Sequence, residues 1–374
     1  MTKEIRLAKS CIGEREKQAV LAVLDHEFLG MGAEVNEFEL LLKQFFSRPS
    51  ICVINGTAAL HLALEACGVG VGDEVLLPSL TYVASFQAVA ATGATPVACD
   101  IDPIFYTLDP SDAELRITSR TKAIMPVHYA GGVGSLREIY QLAESNGLRV
   151  IEDAAHAFGT TLDGNRVGSF GDIACFSFDG IKNITSGEGG CITSADDDLL
   201  DKISRYRSLG ISTRREADLT AGILPDFDVC EKGWRYHMSN VMAAIGIQQF
   251  HRRSELADTR RELAKAYDGW LGGAETISLI PNNYNEVVPF MYPIKIAEDQ
   301  DVSALRASLH ADGIPTGAQY QPNHSYELFS ISGQSPLPVI ENLYPRLVTL
   351  PLHPDLTINE VEYISKKILA NLRN

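Results

Sequence analysis

The sequence predicts an α/β fold in which helices cover both faces of a parallel sheet. Between residues 51 and 151, short apolar segments of strand length alternate with segments of helical periodicity. Strands that are apolar throughout are typical of parallel sheets, because both faces of such sheets are buried. The chain has 374 residues, more than one hydrophobic core usually supports. We therefore predict a large domain over residues 1–250 and a smaller α/β domain over residues 251–374.

The elements follow in order along the chain. Residues 13–25 and 34–46 have the apolar spacing of amphipathic helices and precede the sheet. The predicted strands of the sheet lie at residues 51–54, 74–77, 95–99, 123–127, 149–151, 173–178 and 190–193. The other predicted helices lie at residues 57–66, 85–91, 132–146, 238–249, 253–271 and 358–372. Residues 211–233 show no clear period and are predicted as a long loop, which in a compact domain is usually functional or mobile.

Composition and charge exclude several classes of protein. The formal net charge of -16 would repel nucleic acid and anionic membrane surfaces, so neither is expected as a partner. The cysteines number 7 and form no CxxC pair, which indicates free thiols in a reducing compartment and no zinc site. The N-terminal residues lack the apolar stretch of a signal peptide, and no apolar run is long enough to cross a bilayer. We expect a cytoplasmic protein that folds without a metal or a disulfide bridge.

The first segment that could bind a ligand is Asn55-Gly56-Thr57-Ala58-Ala59, which follows a predicted strand and opens a predicted helix. Small residues at a helix N-terminus let backbone N–H groups approach an anion, and the helix dipole favours negative charge there. Asn55 or Thr57 could also serve as an ordinary helix cap. Taken alone, the segment favours the capping role.

Two further segments carry ionisable side chains at strand ends. Residues 150–156 (VIEDAAH) form an apolar strand that ends in two carboxylates, and strand ends of this kind form the binding crevice of open α/β sheets. Asp153 could hold a proton on a ligand nitrogen, such as that of a pyridine ring, or cap a helix. In residues 176–190 (FSFDGIKNITSGEGG), Lys182 stands between an apolar strand and a glycine-rich turn. A lysine among apolar groups can lose its proton and become a nucleophile, although an exposed loop lysine is the commoner case.

In this order and spacing, the three segments resemble the DegT/DnrJ/EryC1/StrS family of sugar-nucleotide aminotransferases. The stretch KNITSGEGG at residues 182–190 is the most specific signature, and the resemblance extends from residues 5–9 (IRLAK) to residues 350–354 (LPLHP). It implies a fold-type I enzyme that depends on pyridoxal 5′-phosphate (PLP). Such an enzyme has a large domain with a mostly parallel seven-stranded sheet flanked by helices, and a smaller C-terminal α/β domain.

The resemblance also implies a role for each matching residue. Lys182 would bind PLP as a Schiff base and then carry a proton, while Asp153 would pair with the pyridine nitrogen. The other residues implied at the cofactor are Gly56, Thr57, Ala58 and Ser177 around the phosphate, Tyr82 and Ala155 on the two faces of the ring, and His156 near O3′. The residues implied near the substrate are Glu188, Gln319, Tyr320 and His324. Tyr82 could instead be a core aromatic residue, and Glu188 a structural residue of its turn.

Two of the matching segments depart from the family's pattern. Residues 233–240 (GWRYHMSN) match a stretch, usually close to GYNYRM, that reaches the partner subunit's site in a homodimer; Arg235 stands in place of its Asn. Arg235 could pair with the cofactor phosphate or with a sugar diphosphate. In residues 319–324 (QYQPNH), Gln319 replaces the first histidine of the family's HYxPxH. The resemblance implies a homodimer whose sites lie at the interface, each completed by the partner's 211–240 region.

The implied reaction is ping-pong transamination. L-Glutamate would convert PLP to pyridoxamine phosphate, and the amino group would pass to a ketone on a nucleotide-linked deoxysugar. His156 and the N-terminal IRLAKSCIGE resemble enzymes that act at C4 of a 4-keto-6-deoxyhexose. This favours dTDP as the carrier ahead of GDP or UDP, in a pathway to O-antigen lipopolysaccharide, another glycan or a small molecule.

Several alternatives remain open at this point. Within the same chemistry they are amination at C3 and amination of an inosose. A PLP-dependent sugar dehydratase would usually lack the lysine that stands here at Lys182. A PLP-binding regulatory protein would need a DNA-binding segment, and the acidic chain shows none.

Overall fold

A central sheet organises the computed structural model, which describes residues 5–215, 226–330 and 335–372. Its seven strands are β1 (Ser50–Val53), β2 (Glu74–Pro78), β3 (Thr95–Cys99), β4 (Thr121–Ile124), β5 (Arg149–Asp153), β8 (Ile173–Ser177) and β9 (Gly190–Ser194). A short hairpin of β6 (Thr161–Leu162) and β7 (Asn165–Arg166) lies outside this sheet. The strand order is β1-β9-β8-β5-β4-β2-β3. Only β9 runs antiparallel to its neighbours, because residues 178–189 connect it to β8 without a crossover helix. The prediction of a mostly parallel seven-stranded sheet is confirmed.

Helices cover both faces of this sheet, as predicted. The helices of eight residues or more are α1 (Glu14–Asp25), α2 (Ala33–Phe46), α3 (Gly56–Ala66), α4 (Val83–Ala91), α6 (Leu136–Asn146), α7 (Asp197–Tyr206), α8 (Asn240–His251), α9 (Arg253–Leu271), α10 (Val302–Ala311) and α12 (Ile358–Asn371); α5 (Pro110–Leu115) and α11 (Pro338–Leu343) are shorter. α3 is buried on nearly all sides, since it packs against the sheet, α4 and α7. On the opposite face, α2 and α8 contribute Phe38, Phe46 and Phe250 to a second apolar cluster with Phe176 of β8.

A smaller antiparallel sheet lies in the C-terminal part of the chain. Its strands are β12 (Ile277–Leu279), β13 (Tyr292–Ile296) and β14 (Leu347–Leu350), in that order. α9, α10 and α12 supply its core, which includes Tyr267, Leu309 and Ile364. A domain boundary between residues 250 and 251 stays a prediction.

Two sequence predictions need correction. Part of the predicted 211–233 loop is an antiparallel pair, β10 (Ile211–Arg215) with β11 (Asp226–Val229), while residues 216–225 lie outside the described residues. The predicted helix at 132–146 begins only at Leu136, because Gly131 and Gly134 have positive φ values of 103° and 50°. α7 had no counterpart in the sequence prediction, although Asp196 caps it and Leu199, Leu200 and Ile203 form its buried face.

Neither a membrane span nor a metal cluster is found in the part of the chain that the structure describes. No helix there has the length and apolar character to cross a bilayer. No group of three or more His, Cys, Asp or Glu side chains there is placed to hold a metal ion.

Candidate active site

A cavity of about 440 Å³ lies at the carboxyl ends of β5 and β8, where the central sheet meets the segments around the smaller sheet. Its wall on the side of the central sheet includes Asn55, Gly56, Thr57, Tyr82, Asp153, Ala155, His156, Ser177, Lys182 and Glu188. Phe290, Gln319, Tyr320 and Leu350 line the other side. The carboxyl edge of a parallel sheet is the usual place for a ligand in α/β proteins, because loops from several strands converge there.

Lys182 is held in the connection between β8 and β9. Its N–H donates to the carbonyl oxygen of Asp179 at 3.0 Å, and its Nζ lies 4.3 Å from the centroid of the Phe290 ring. Burial lowers the pKa of Lys182 to about 8, although the charges of Asp153 and Asp179 act in the opposite direction. A free lysine has a pKa of about 10.4. Lys182 is therefore no ordinary loop lysine: a substantial fraction of its amine is neutral near physiological pH.

Asp153 is the last residue of β5 and is 6% exposed. Ser85 donates its hydroxyl to Oδ2 of Asp153 at 2.7 Å, and the N–H of Ala155 donates to Oδ1 at 3.2 Å. Thr81 in turn lies 2.8 Å from the Ser85 hydroxyl. The carboxylate therefore has one orientation toward the cavity. The sequence analysis missed Ser85, and nothing in its local pattern distinguished it from other serines in a helix.

The N-terminus of α3 and Ser177 form the two sides of an anion-sized cradle. A Cβ on Gly56 would lie 2.8 Å from the Cβ of Ser177, so only glycine allows this close approach. Asn55 accepts the Ala58 N–H at 2.8 Å, so the capping interpretation is correct as well. Within the described residues, the N–H groups of Gly56 and Thr57 have no protein acceptor. Ala58 lies outside the cavity lining and its N–H is bound to Asn55, and its contact with the cofactor stays a prediction.

Aromatic rings of the smaller-sheet side contact an imidazole of the central-sheet side. His156 stacks on Phe290 with 4.3 Å between ring centroids, and its Nε2 lies 3.3 Å from the Tyr320 hydroxyl. Burial holds the pKa of His156 well below its usual value, with smaller contributions from Lys182 and His128, so the imidazole is neutral. Tyr82 is 57% exposed at the cavity, which excludes a role as a core aromatic residue.

The remaining predicted residues fall into two groups. Glu188 and Gln319 line the cavity; burial and the charge of Asp179 raise the pKa of Glu188. Arg235 is exposed and does not line the cavity of its own chain.

His324 also lies outside the cavity lining, and its place near the substrate stays a prediction. Its Nδ1 is 2.7 Å from the Ser79 hydroxyl, and its backbone N–H donates to the same oxygen at 3.2 Å. The neighbouring Asn323 donates to the carbonyl oxygens of Ser79 and Thr81. His324 therefore supports the turn that leads to Tyr82.

The family model of the DegT/DnrJ/EryC1/StrS aminotransferase family matches residues 10–369. The chain belongs to this family. It is 36% identical to the GDP-perosamine synthase of Escherichia coli O157:H7, over 95% of this chain and 94% of the relative. It is also 36% identical to the GDP-perosamine synthase of Caulobacter vibrioides, over 96% of each chain. The solved PMP form of Spr1654 from Streptococcus pneumoniae superposes with a TM-score of 0.91 at 27% identity, covering 97% of this chain and 98% of that one.

Membership in this family defines the chemistry of the protein. The protein is a PLP-dependent sugar aminotransferase with the fold-type I architecture expected for this family. The sugar dehydratase and the regulatory protein considered above are therefore set aside. The residues that line the cavity are the candidates for holding the cofactor and the sugar.

Proposed function

We propose that Lys182 is the residue that binds PLP and that Asp153 pairs with the pyridine nitrogen of the cofactor. The observation that carries this proposal is the placement of both side chains on one cavity wall, where the charge of Asp153 acts on a lysine whose pKa is about 8. A neutral amine can attack the aldehyde of PLP, whereas an ammonium cannot. A buried carboxylate fixed by two donors can hold a proton on a ring nitrogen.

The phosphate of the cofactor fits the cradle between α3 and Ser177. The N–H groups of Gly56 and Thr57 and the Ser177 hydroxyl are the donors for it, and the dipole of α3 adds to the attraction. Tyr82 and Ala155 line the cavity and would contact the faces of the ring. His156, with its Nδ1 buried and without a partner among the described residues, is the candidate near O3′.

A bound PLP would supply the site with an acceptor for the donor's amino group and with an electron sink for the carbon that loses its proton. Ser85 and the Ala155 N–H keep the Asp153 carboxylate in one orientation at the cavity, where it would hold a proton on the ring nitrogen. With a pKa of about 8, the Lys182 amine can accept and return a proton near neutral pH. The neutral His156 hydrogen-bonds without adding a second cation beside Lys182.

Gly56→Ala should weaken binding of the cofactor. Its Cβ would meet Ser177 at 2.8 Å and push the two sides of the cradle apart. We expect the Kd of PLP for the apoenzyme to rise by at least about tenfold, about 1.4 kcal/mol, in an absorbance titration. Gly273→Ala is the matched control, because a Cβ there meets no atom within 4 Å. An unchanged Kd in the Gly56 variant would show that the phosphate does not bind in this cradle.

For the substrates, we propose L-glutamate as the amino donor and a nucleotide-linked 4-keto-6-deoxyhexose as the acceptor. Amination at C4 is supported by His156 and the N-terminal sequence. The names of two relatives that each match 95% or more of this chain support GDP as the carrier in place of dTDP. The base of the nucleotide is the part of the proposal that depends most on the relatives.

We further propose that the enzyme works as a homodimer in which the partner supplies positive charge. The ionisable side chains that line the cavity include three acids, Asp153, Asp179 and Glu188; among the described lining residues Lys182 is the single lysine or arginine. Glutamate and a sugar diphosphate are both anions, so this site attracts them only with cations from elsewhere. Arg235 is exposed and outside its own cavity, and a second copy could bring it to the phosphates.

An amination screen tests the function. GDP-, dTDP- and UDP-linked 4-keto and 3-keto sugars and a scyllo-inosose are each incubated with L-glutamate and the holoenzyme, and products are identified by mass and NMR. We expect a 4-amino sugar on GDP as the preferred product. A 3-amino sugar or an amino-inositol as the main product would overturn the C4 proposal, and a preference for dTDP would overturn the choice of GDP alone.

A further inference from the structure

Arg260 of α9 is buried, at 1% exposure, between the turn that carries Lys182 and the smaller sheet. Its Nη1 donates to the carbonyl oxygens of Phe290 at 3.0 Å and Leu352 at 3.3 Å. Its Nη2 donates to the carbonyl oxygens of Ile181 at 3.4 Å and Lys182 at 3.5 Å. One guanidinium group therefore ties together three separate segments of the chain.

The positive charge of Arg260 has no carboxylate beside it. Across residues 5–215, 226–330 and 335–372, no carboxylate contributes to its electrostatics. The Cys11 thiol acts on it in the direction that raises its pKa, and the Nε–H of Arg260 has no acceptor. Burial lowers the pKa of Arg260 to about 10, so the group is still charged at neutral pH. A buried charge without an opposite charge is costly, and apolar residues could fill the same space. Both points indicate that the positive charge and the planar N–H donors of Arg260 serve the function of the protein.

The four hydrogen bonds fix two residues that meet at the cavity. Lys182 Nζ lies 4.3 Å from the centroid of the Phe290 ring, and the carbonyl oxygens of both residues accept from Arg260. The Lys182 N–H is held as well, by the carbonyl oxygen of Asp179. The Phe290 ring also stacks on His156. The position of the lysine amine relative to its aromatic wall therefore depends on Arg260.

We propose that Arg260 is a positioning residue for Lys182: it locks the backbone of Lys182 against that of Phe290 and sets a buried positive charge near the amine. The charge lowers the pKa of Lys182, in the same direction as burial, while Asp153 on β5 and Asp179 after β8 raise it. The cavity also holds a third carboxyl group, that of Glu188, and the neutral imidazole of His156. The inference rests on the proposed role of Lys182 as the residue that binds PLP.

The test compares Arg260→Gln with Arg260→Lys in the full-length enzyme. The cofactor is removed, and the rate at which PLP is recaptured is measured across pH. Arg260→Gln removes the charge, so we expect the midpoint of the rate to move up from about pH 8, by less than about one unit because burial, Asp153 and Asp179 each act more strongly on Lys182. Arg260→Lys keeps the charge and the midpoint, but its plateau rate should fall at least about threefold, because an ammonium cannot bridge four carbonyl oxygens in a planar fork.

Arg261→Gln on the same helix is the matched control, since Arg261 is partly exposed and pairs with Asp258 at 3.1 Å. It should leave both the midpoint and the plateau rate as in the unmodified enzyme. A folded Arg260→Gln variant with an unmoved midpoint would overturn the proposal. If that variant does not fold, Arg260→Lys decides: a raised midpoint or an undiminished plateau rate counts against the proposal. Capture of PLP on a lysine other than Lys182 would instead overturn the proposed function, whatever the Arg260 variants do.

Discussion

Lys182→Ala is expected to lower the rate of transamination by at least about 10⁴-fold, because it removes both the nucleophile and the proton carrier. The fold should be retained, since the Lys182 N–H bond to the Asp179 carbonyl involves only the backbone. The rate is measured as formation of 2-oxoglutarate from L-glutamate in single turnovers. Circular dichroism and thermal unfolding establish that the variant is folded.

Lys265→Ala is the matched control, because Lys265 is exposed on α9. Borohydride reduction of the unmodified holoenzyme, followed by peptide mapping, should locate the cofactor on Lys182. The same reduction should leave Lys182→Ala unlabelled. Label on any other lysine, or turnover in Lys182→Ala close to that of the control, would exclude the mechanism proposed here.

The lowered pKa of Lys182 should make the capture of PLP by the apoenzyme depend on pH. The neutral amine is the reactive form, so capture of PLP by the apoenzyme should speed up as pH rises and reach half its maximum at about pH 8. An ordinary lysine would place the midpoint near about 10.4. A midpoint in that higher range would mean that burial does not activate Lys182.

Asp153→Asn should give the second-largest loss, about 10²–10⁴-fold in the rate of the glutamate half-reaction. Asparagine has nearly the same shape and can still accept the Ser85 hydroxyl, but it cannot keep a proton on the ring nitrogen of the cofactor. The measurement is stopped-flow absorbance of the bound cofactor after mixing with L-glutamate. Asp109→Asn is the matched control, because Asp109 caps α5 and asparagine caps a helix equally well.

Ser85→Ala separates the charge of Asp153 from its orientation. It leaves the carboxylate in place and removes the 2.7 Å hydrogen bond that fixes it. We expect a smaller loss, about tenfold. Equal losses in Ser85→Ala and Asp153→Asn would mean that orientation alone accounts for the effect of Asp153, and full activity in Asp153→Asn would end its proposed role.

Much of the fold could be predicted from local patterns. The helix over residues 253–271 and the strand over residues 95–99 match the predicted bounds, because their apolar spacing is regular and their ends carry clear signals. The predicted strand at 123–127 is shorter in the structure: β4 ends at Ile124, two residues before Pro126, which has no N–H to donate. The β10–β11 pair was missed, since β10 (ISTRR) does not alternate between apolar and polar residues and β11 (DFDV) does so over only four residues.

The candidate site was predicted less completely. Gly56, Asp153 and Ser177 lie at a helix start or at strand ends, and Lys182 lies in the glycine-rich connection after β8, where short-range patterns point to them. The contact of His324 with Ser79 was not predicted, because the short segment around His324 gave no sign of that partner. Phe290 and Arg260 were not predicted at all: each meets Lys182 only after distant parts of the chain fold together.

The sequence by itself determined the α/β architecture, the family and the three segments that carry the chemistry. These depend on hydrophobic period, glycine placement and motifs, all of which lie within short stretches of chain. Only the tertiary structure decided that Lys182 has a pKa near 8, that Ser85 orients Asp153 and that Arg260 joins Lys182 to Phe290. Burial and contact between remote segments produce these properties, and neither is encoded at a single position of the sequence.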